Sequence, residues 1–495
     1  MEYEFRMKLR ASLFIRVCSP CIYKFIMKQK IIIIGAGIAG LSAGCYGQMN
    51  GYDTHIFEMH TISGGLCTSW DRKDYRIDGC IHWLMGANPE SMFYKTWNEL
   101  QAFKGKELLY HDNIMHIENS EGKKLIMYSD IDKLEDHLIE LSCRDSEVIQ
   151  ELTAAVRKFK DIGTASRDAT LVKYFKVTMS DFVQRFKDPF LREALLAFSS
   201  KECTVFSLIF QLAIYNNKDA CWPVGGSLEF ARGIERRYLE LGGEIVYKSK
   251  VGEILVSNDR ATGIRLTDGS VHTADFVVSA ADGYSTVFKM LKGQYIDDEI
   301  KALYKSKKVS NTSIQLSLGV NCDLSEHPYC TNMILENPVE IGGVEISQLL
   351  IKNYCFDKTL CAPGKSVVTS FIFTDFQYWE KLYKNSEDYM AQKKKIADWF
   401  ICLFETKYPE AKGKVEIVDV ATPMTYYRYT EVWQGAYCGW KSPAQNIPNV
   451  LPSLSGLYLA GQWTQTTGGI PTAAMTGKGS IMRICKEEGR EFLSC

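Results

Sequence analysis

The stretch IIIIGAGIAGLSAG, residues 31–44, decides the fold. Ile31 to Ile34 are four consecutive β-branched residues, the pattern of a central parallel strand buried on both faces. Gly35, Gly37 and Gly40 follow as G-x-G-x-x-G. Ile38, Leu41 and Ala43 then open a helix whose end is marked by Asn50-Gly51. A second strand, Thr54 to Phe57, ends in Glu58, 18 positions beyond Gly40. That is close to the spacing of about 20 at which an acidic residue reaches the ribose hydroxyls of a dinucleotide. Gly35 permits the tight turn, Gly37 admits a pyrophosphate to the backbone, and Gly40 allows close helix-on-strand packing. The positive end of the helix faces the phosphates. A carboxylate at Glu58 repels the 2′-phosphate of NADP, so the choice lies between NAD and FAD.

Two further blocks favour FAD. SGGLCTSW, residues 63–70, offers paired glycines to a second anionic stretch of cofactor. GLYLAGQ, residues 456–462, reads as a short buried strand stopping at a glycine, followed by TGGIP, residues 467–471, and a helix from about Thr472. With YRIDGCIHWLMG, WPVGGSLEFARGI, LGGEIVYKSKVGEI and VVSAADGYSTVFKML between them, these blocks make the chain from Lys28 onward similar to the FAD-dependent amine oxidase superfamily. Within it the chain resembles the phytoene desaturase, carotenoid isomerase and retinol saturase branch.

The resemblance implies an α/β fold: a Rossmann-like FAD-binding domain of the glutathione-reductase type with an inserted α+β substrate domain. It places Gly35, Ala36, Gly37, Ile38 and Gly40 at the pyrophosphate and Glu58 at the adenosine ribose. Gly64, Gly65 and Leu66 continue along the phosphates and ribityl chain, Val251 meets the adenine edge, and Gly461, Gln462, Ile470 and Pro471 lie beside the ribityl chain and ring. Gln462 departs from the Asp or Glu common there, although a neutral amide still hydrogen-bonds a hydroxyl or phosphate oxygen. The expected FAD-binding domain is discontinuous, from 27–100, 215–300 and 445–490, with 101–214 and 301–444 forming the substrate domain. Helical patterns dominate the first of these insertions and alternating, strand-like ones the second. Asp268-Gly269 marks a hairpin turn before a strand at Phe276 to Ala280.

Composition bounds the rest. The 495 residues are 46% hydrophobic and 24% charged, as in a globular protein of two or three packed units. Fifty-eight basic residues against 59 acidic ones leave a net charge of -1, which argues against a nucleic-acid partner. The 16 cysteines are scattered as expected of reduced thiols in a cytoplasmic protein, rather than grouped as a disulfide framework. No metal site is expected: Cys18 and Cys21 lack a second ligand pair, and His111 and His116 lack a third ligand. Residues 1–26, with five basic side chains and two acidic ones, read as an overextended start before Met27 or as a basic amphipathic anchor. No run approaches the roughly 20 apolar residues of a membrane span, but a water-insoluble substrate calls for peripheral membrane contact through an apolar entrance.

The expected activity is that of an FAD-dependent oxidoreductase acting on C–C or C=C bonds of an apolar isoprenoid or polyene, by desaturation, saturation or cis–trans isomerisation. His82, in the segment that the family sets beside the flavin, reads either as a proton-transfer group or as a structural histidine under the cofactor. Trp222, Trp379, Trp433, Tyr426, Tyr427, Tyr429 and Tyr437 are candidates for an aromatic tunnel, although most aromatic residues serve the core. Two alternatives stay open: a flavin amine oxidase, and a non-catalytic prenyl-binding escort module like the Rab GDP-dissociation inhibitors.

Overall fold

The computed structural model describes residues 28–160, 162–441, 446–465 and 468–494. The leader reading and the Cys18–Cys21 pair lie outside the described residues. Lys30–Ile34 is the middle strand of a five-stranded parallel sheet, ordered Glu244–Val246, Asp53–Phe57, Lys30–Ile34, Phe276–Ser279, Leu457–Leu459. Its isoleucines divide between two apolar layers. Ile31 and Ile33 pack with the helix Ile38–Met49 and its neighbours, while Ile32 and Ile34 pack with Val251, Ile254 and Ile264 of an antiparallel three-stranded sheet on the other face. A strand covered on both sides has no polar face, which is why the run is uninterrupted.

Three helices share one of those layers. Ile470–Glu487 lies against Ile38–Met49 so closely that a Cβ on Gly477 would sit 2.2 Å from the Ala39 carbonyl oxygen. Gly226–Glu240 packs on the other flank, where a Cβ on Gly44 would meet the Tyr238 ring at 2.7 Å. Glycine at these contacts lets segments far apart in sequence approach backbone to backbone. The last helix begins at Ile470, a turn's half earlier than the expected Thr472, and Gly469 at φ +116° forms its cap.

A second, seven-stranded sheet is ordered Val415–Ala421, Thr312–Val320, Ser366–Thr374, Val344–Asn353, Cys330–Ile341, Asn113–Glu118, Lys124–Tyr128. Its last two strands correct the expectation of a helical 101–214 segment: Asn113–Glu118 joins Cys330–Ile341 in parallel, and helices begin only at Ile131. Short strands with a few charged residues give a weak period-two signal, and pairing with a distant edge decides them. Further along this segment, Met179–Phe182 is a single helical turn followed by the 3-10 turn Val183–Arg185. The alternation over Thr312–Val320 does not separate solvent from core, since all of that strand is buried. Ile314, Leu316, Leu318 and Val320 pack against Phe400 and Phe404 of the helix Ser386–Lys407. The alternate residues face the first sheet's connections: Gln315 Nε2 donates to the Asp78 carbonyl at 2.7 Å, and a Cβ on Gly319 would strike the Tyr75 ring at 2.7 Å.

Asp282, in the turn after Phe276–Ser279, ties the first sheet to the loop at Trp433. Its carboxylate accepts from Trp433 N and Ser285 N, both at 2.9 Å. Burial raises its pKa to about 6 against these hydrogen bonds. A folded pKa above the unfolded value means that the native state binds the extra proton between about pH 4 and 6, so this group's contribution to stability falls as pH rises through that window. The stability advantage of wild type over Asp282→Asn should therefore be larger at pH 4 than at pH 7, by about 2 kcal/mol. Denaturant melts of both proteins at the two pH values test this; an advantage independent of pH would refute it.

Candidate functional site

The site begins where the central strand ends. Gly35, at φ +94°, turns the chain in the left-handed region and donates its N–H to Phe57 O at 2.8 Å. A Cβ on Gly40 would lie 1.9 Å from the Gly35 oxygen, so the helix rests directly on the turn. Gly37 caps that helix without any side-chain acceptor, leaving its first amides available to an anion. The Gly64–Gly65 pair is pressed against the same turn: Gly64 N donates to Ala36 O at 2.9 Å, and a Cβ on Gly65 would lie 3.3 Å from the Gly37 Cα. Two glycine motifs separated in sequence thus form one continuous backbone surface, with Ile38 buried behind it and Leu66 packed on the adjoining apolar layer.

Glu58 is more than a free ribose-binding carboxylate. Its Oε2 accepts from Ala36 N at 2.7 Å and its Oε1 from His60 N at 2.8 Å, with the residue 7% exposed. It braces the phosphate turn, and each oxygen keeps capacity for a further donor. Ser249 N donates to the Glu58 carbonyl at 2.8 Å, which sets Val251, buried at the start of its strand, close by.

At the far end of the chain Gly461, at φ +105°, donates its N–H to Thr476 Oγ1 at 2.8 Å and has open space where a Cβ would stand. Gln462 Nε2 donates to the Ala436 carbonyl at 3.4 Å. Ile470 and Pro471 form the first turn of a helix whose Gly469 cap also has no side-chain acceptor. The open glycine surfaces and the two uncapped helix starts fit a long, doubly anionic cofactor such as FAD.

A strap leads from this surface to the second sheet. Asp78 is buried and accepts from Ser227 N at 2.6 Å, Ser227 Oγ at 2.7 Å and Ser69 Oγ at 2.9 Å. Burial raises its pKa and these donors oppose the rise. Ile81 N donates to Ser227 Oγ at 2.8 Å, so the strap is pinned to the start of the Gly226–Glu240 helix. This fixes His82, whose Nδ1 lies 2.9 Å from Lys352 Nζ on the Val344–Asn353 strand. Burial, and then the Lys352 charge, hold the His82 pKa well below its usual value, and burial brings that of Lys352 down to about 8. Phe371 meets the His82 ring edge-on at 5.0 Å, and Tyr437 stands at 6.3 Å.

Motif spacing does not point to Lys352. The one available signal was a lysine inside the otherwise apolar run LLIK, residues 349–352. Of the aromatic tunnel candidates, Tyr437 reaches this place, whereas others serve the core. Trp379 donates to Thr374 Oγ1 on the sheet's far face, Trp433 stacks with Tyr284 and meets Trp440 and Trp463, and Trp222 donates to Asp357. Tyr429 is exposed beside His60, and Tyr427 packs on Phe376. His111 and His116 line a cavity of about 360 Å³ together with His327. His111 is stacked on Tyr329 and His327 is paired with Glu410; among the described residues no group of His, Cys, Asp and Glu could hold a metal.

A parallel sheet ending in glycine turns with two uncapped helix starts defines a dinucleotide-binding protein. The chain belongs to the flavin containing amine oxidoreductase family, whose model matches residues 38–480. It is an FAD-dependent enzyme of that family. It is 23% identical over 504 residues to the chloroplastic prolycopene isomerase of Daucus carota, covering 93% of this chain and 80% of that protein. To the lycopene-forming phytoene desaturase of Pseudescherichia vulneris it is 21% identical, covering 93% and 99% respectively. Among solved structures, an oxidoreductase from Methanosarcina mazei shares the fold at a TM-score of 0.63 and 19% identity, covering 92% of this chain and 100% of that one. A Rab GDI from Plasmodium falciparum shares it at a TM-score of 0.53 and 11% identity, covering 94% and 99%.

Proposed function

We propose that the enzyme acts on C–C or C=C bonds of an apolar isoprenoid or polyene substrate, by desaturation, saturation or cis–trans isomerisation. The observation that carries this reading is the near full-length similarity to a prolycopene isomerase and a phytoene desaturase. In this reading Gly35, Ala36, Gly37, Ile38 and Gly40 hold the pyrophosphate and Glu58 the adenosine ribose. Gly64, Gly65 and Leu66 follow the phosphates and ribityl chain, Val251 borders the adenine, and Gly461, Gln462, Ile470 and Pro471 border the ribityl chain and ring. When bound, the flavin accepts or returns the electrons of the reacting carbon skeleton. The protein orients that skeleton, excludes water, and holds a proton at His82. Segments 27–100, 215–300 and 445–490 act as the FAD-binding domain and 101–214 and 301–444 as the substrate domain. No described helix is long and apolar enough to cross a membrane. Substrate is collected by peripheral contact with a bilayer from the cytoplasmic side.

The Lys352–His82 pair bears on the amine oxidase alternative. A buried ammonium beside His82 disfavours binding of an amine in its protonated, cationic form. Anaerobic incubation of the yellow protein with polyenes, retinoids and alkyl amines discriminates between them. Polyenes or retinoids are expected to be converted or to bleach the flavin's visible band while amines leave it unchanged. Bleaching by amines alone would overturn the reading. A protein that takes up no FAD would restore the escort alternative, which has no use for the narrow glycine turn.

A further inference from the structure

Lys352 is 8% exposed, yet among the described residues no carboxylate forms an ion pair with it. Its ammonium donates to His82 Nδ1 at 2.9 Å and to His82 O at 3.3 Å, two neutral acceptors. The groups facing it are His82 and Asp78 from the strap, Cys330 from the neighbouring strand, and His111 from the loop before Asn113–Glu118. The Asp78 carboxylate is already taken by Ser227 and Ser69. Buried ammonium groups are otherwise paired, because desolvation without a counter-charge costs several kcal/mol per ion. Among the described residues the fold therefore holds, at a cost in stability, a buried cation with no carboxylate partner.

The surroundings allow that partner to be a ligand. Lys352 stands in a row with Thr369 and Ser317 on the face of the sheet turned toward the strap, opposite the apolar face that packs on Ser386–Lys407. Phe371 and Tyr437 provide aromatic surface beside His82. The cavity of about 360 Å³ comes up to the same strand from solvent, lined by Cys330 across from Lys352 and by Asn353 next to it.

We infer that Lys352, seated on His82, is the recognition group for a carboxylate at one end of the substrate, so that the enzyme takes an acidic isoprenoid or polyene rather than a plain hydrocarbon. The apolar part of this ligand rests on the function proposed above; the acidic end rests on Lys352 alone. The ionised carboxylate supplies the missing counter-charge and forms charge-assisted hydrogen bonds to Nζ. Methionine in place of lysine has a similar length without the charge, and arginine retains the charge.

Quenching of tryptophan fluorescence in the FAD-loaded full chain tests this with four probes: all-trans-retinoic acid, all-trans-retinol, β-carotene and palmitic acid. Wild type is expected to bind retinoic acid at least about tenfold more tightly than retinol at pH 7. That preference should fall as pH rises above about 8, where burial makes Lys352 lose its charge while the carboxylate stays ionised. Lys352→Met should remove the preference without weakening retinol binding, and Lys352→Arg should keep it. Equal binding of acid and alcohol by wild type, a preference unchanged at high pH, or a preference surviving in Lys352→Met would each overturn the inference. The pH series needs no variant, so it decides the matter even where a substitution prevents folding. Lys352-dependent binding of palmitic acid with no binding of retinol or β-carotene would support the carboxylate site and overturn the polyene reading. Polyene binding without an acid preference would do the reverse.

Discussion

Gly40→Ala yields a destabilised protein that retains little flavin. The added Cβ would fall 1.9 Å from the Gly35 carbonyl oxygen, a backbone atom with no flexible end to swing away. The helix Ile38–Met49 has to shift outward, but Gly477 of the last helix already lies against Ala39 on one side and Tyr238 against Gly44 on another. Overpacking of this kind costs about 3 kcal/mol. The same displacement draws the amides after Gly37 away from the pyrophosphate, and an equal loss in binding corresponds to roughly a hundredfold in FAD affinity. Flavin absorbance per protein after desalting, together with the melting midpoint, measures both effects. Gly479→Ala is the control: its Cβ would meet nothing within 4 Å on a helix, so it should be neutral or add up to about 1 kcal/mol. Wild-type flavin content in Gly40→Ala would refute the account of the turn.

Glu58→Lys is the second large effect. It removes the acceptors of both Ala36 N and His60 N and sets a cation at a position only 7% exposed. A buried donor, Ala36 N, and a part-buried one, His60 N, left without partners cost about 1–3 kcal/mol each. We expect a total near 4 kcal/mol, and loss of FAD because the turn is no longer braced. Glu58→Gln keeps one good acceptor, so it should cost about 1 kcal/mol and hold FAD at reduced affinity. Isothermal titration of the apoprotein with FAD and a denaturant melt for each variant separate the two contributions. A stable Glu58→Lys protein with unaltered affinity would sink both the bracing role and the ribose contact.

These effects trace to residues that sequence reading could find. Gly40 and Glu58 stand out because strand, turn, helix and second strand are contiguous, and their spacing is set by local geometry. The bracing of the turn by Glu58 was not visible, since spacing suggests which ligand a carboxylate reaches but not which amides of its own chain it holds. Lys124–Tyr128 was lost among helical patterns because a short edge strand depends on a partner that its own residues do not specify. The aromatic residues misled for a related reason: Trp379 and Trp433 are large apolar side chains wherever they fall, and only packing shows that they fill the core.

The sequence by itself determined the parallel sheet, its two glycine turns, the flavin and the family, because each is written in residues whose backbone requirements are local. Tertiary structure alone decided that the Gly64–Gly65 pair closes on the first turn, that the last helix locks against the first, and that Lys352 meets His82. These contacts join segments more than 20, 430 and 260 residues apart. A buried charge declares itself only once the side chains around it are known, since its energy depends on the partners within a few ångströms and not on its neighbours along the chain.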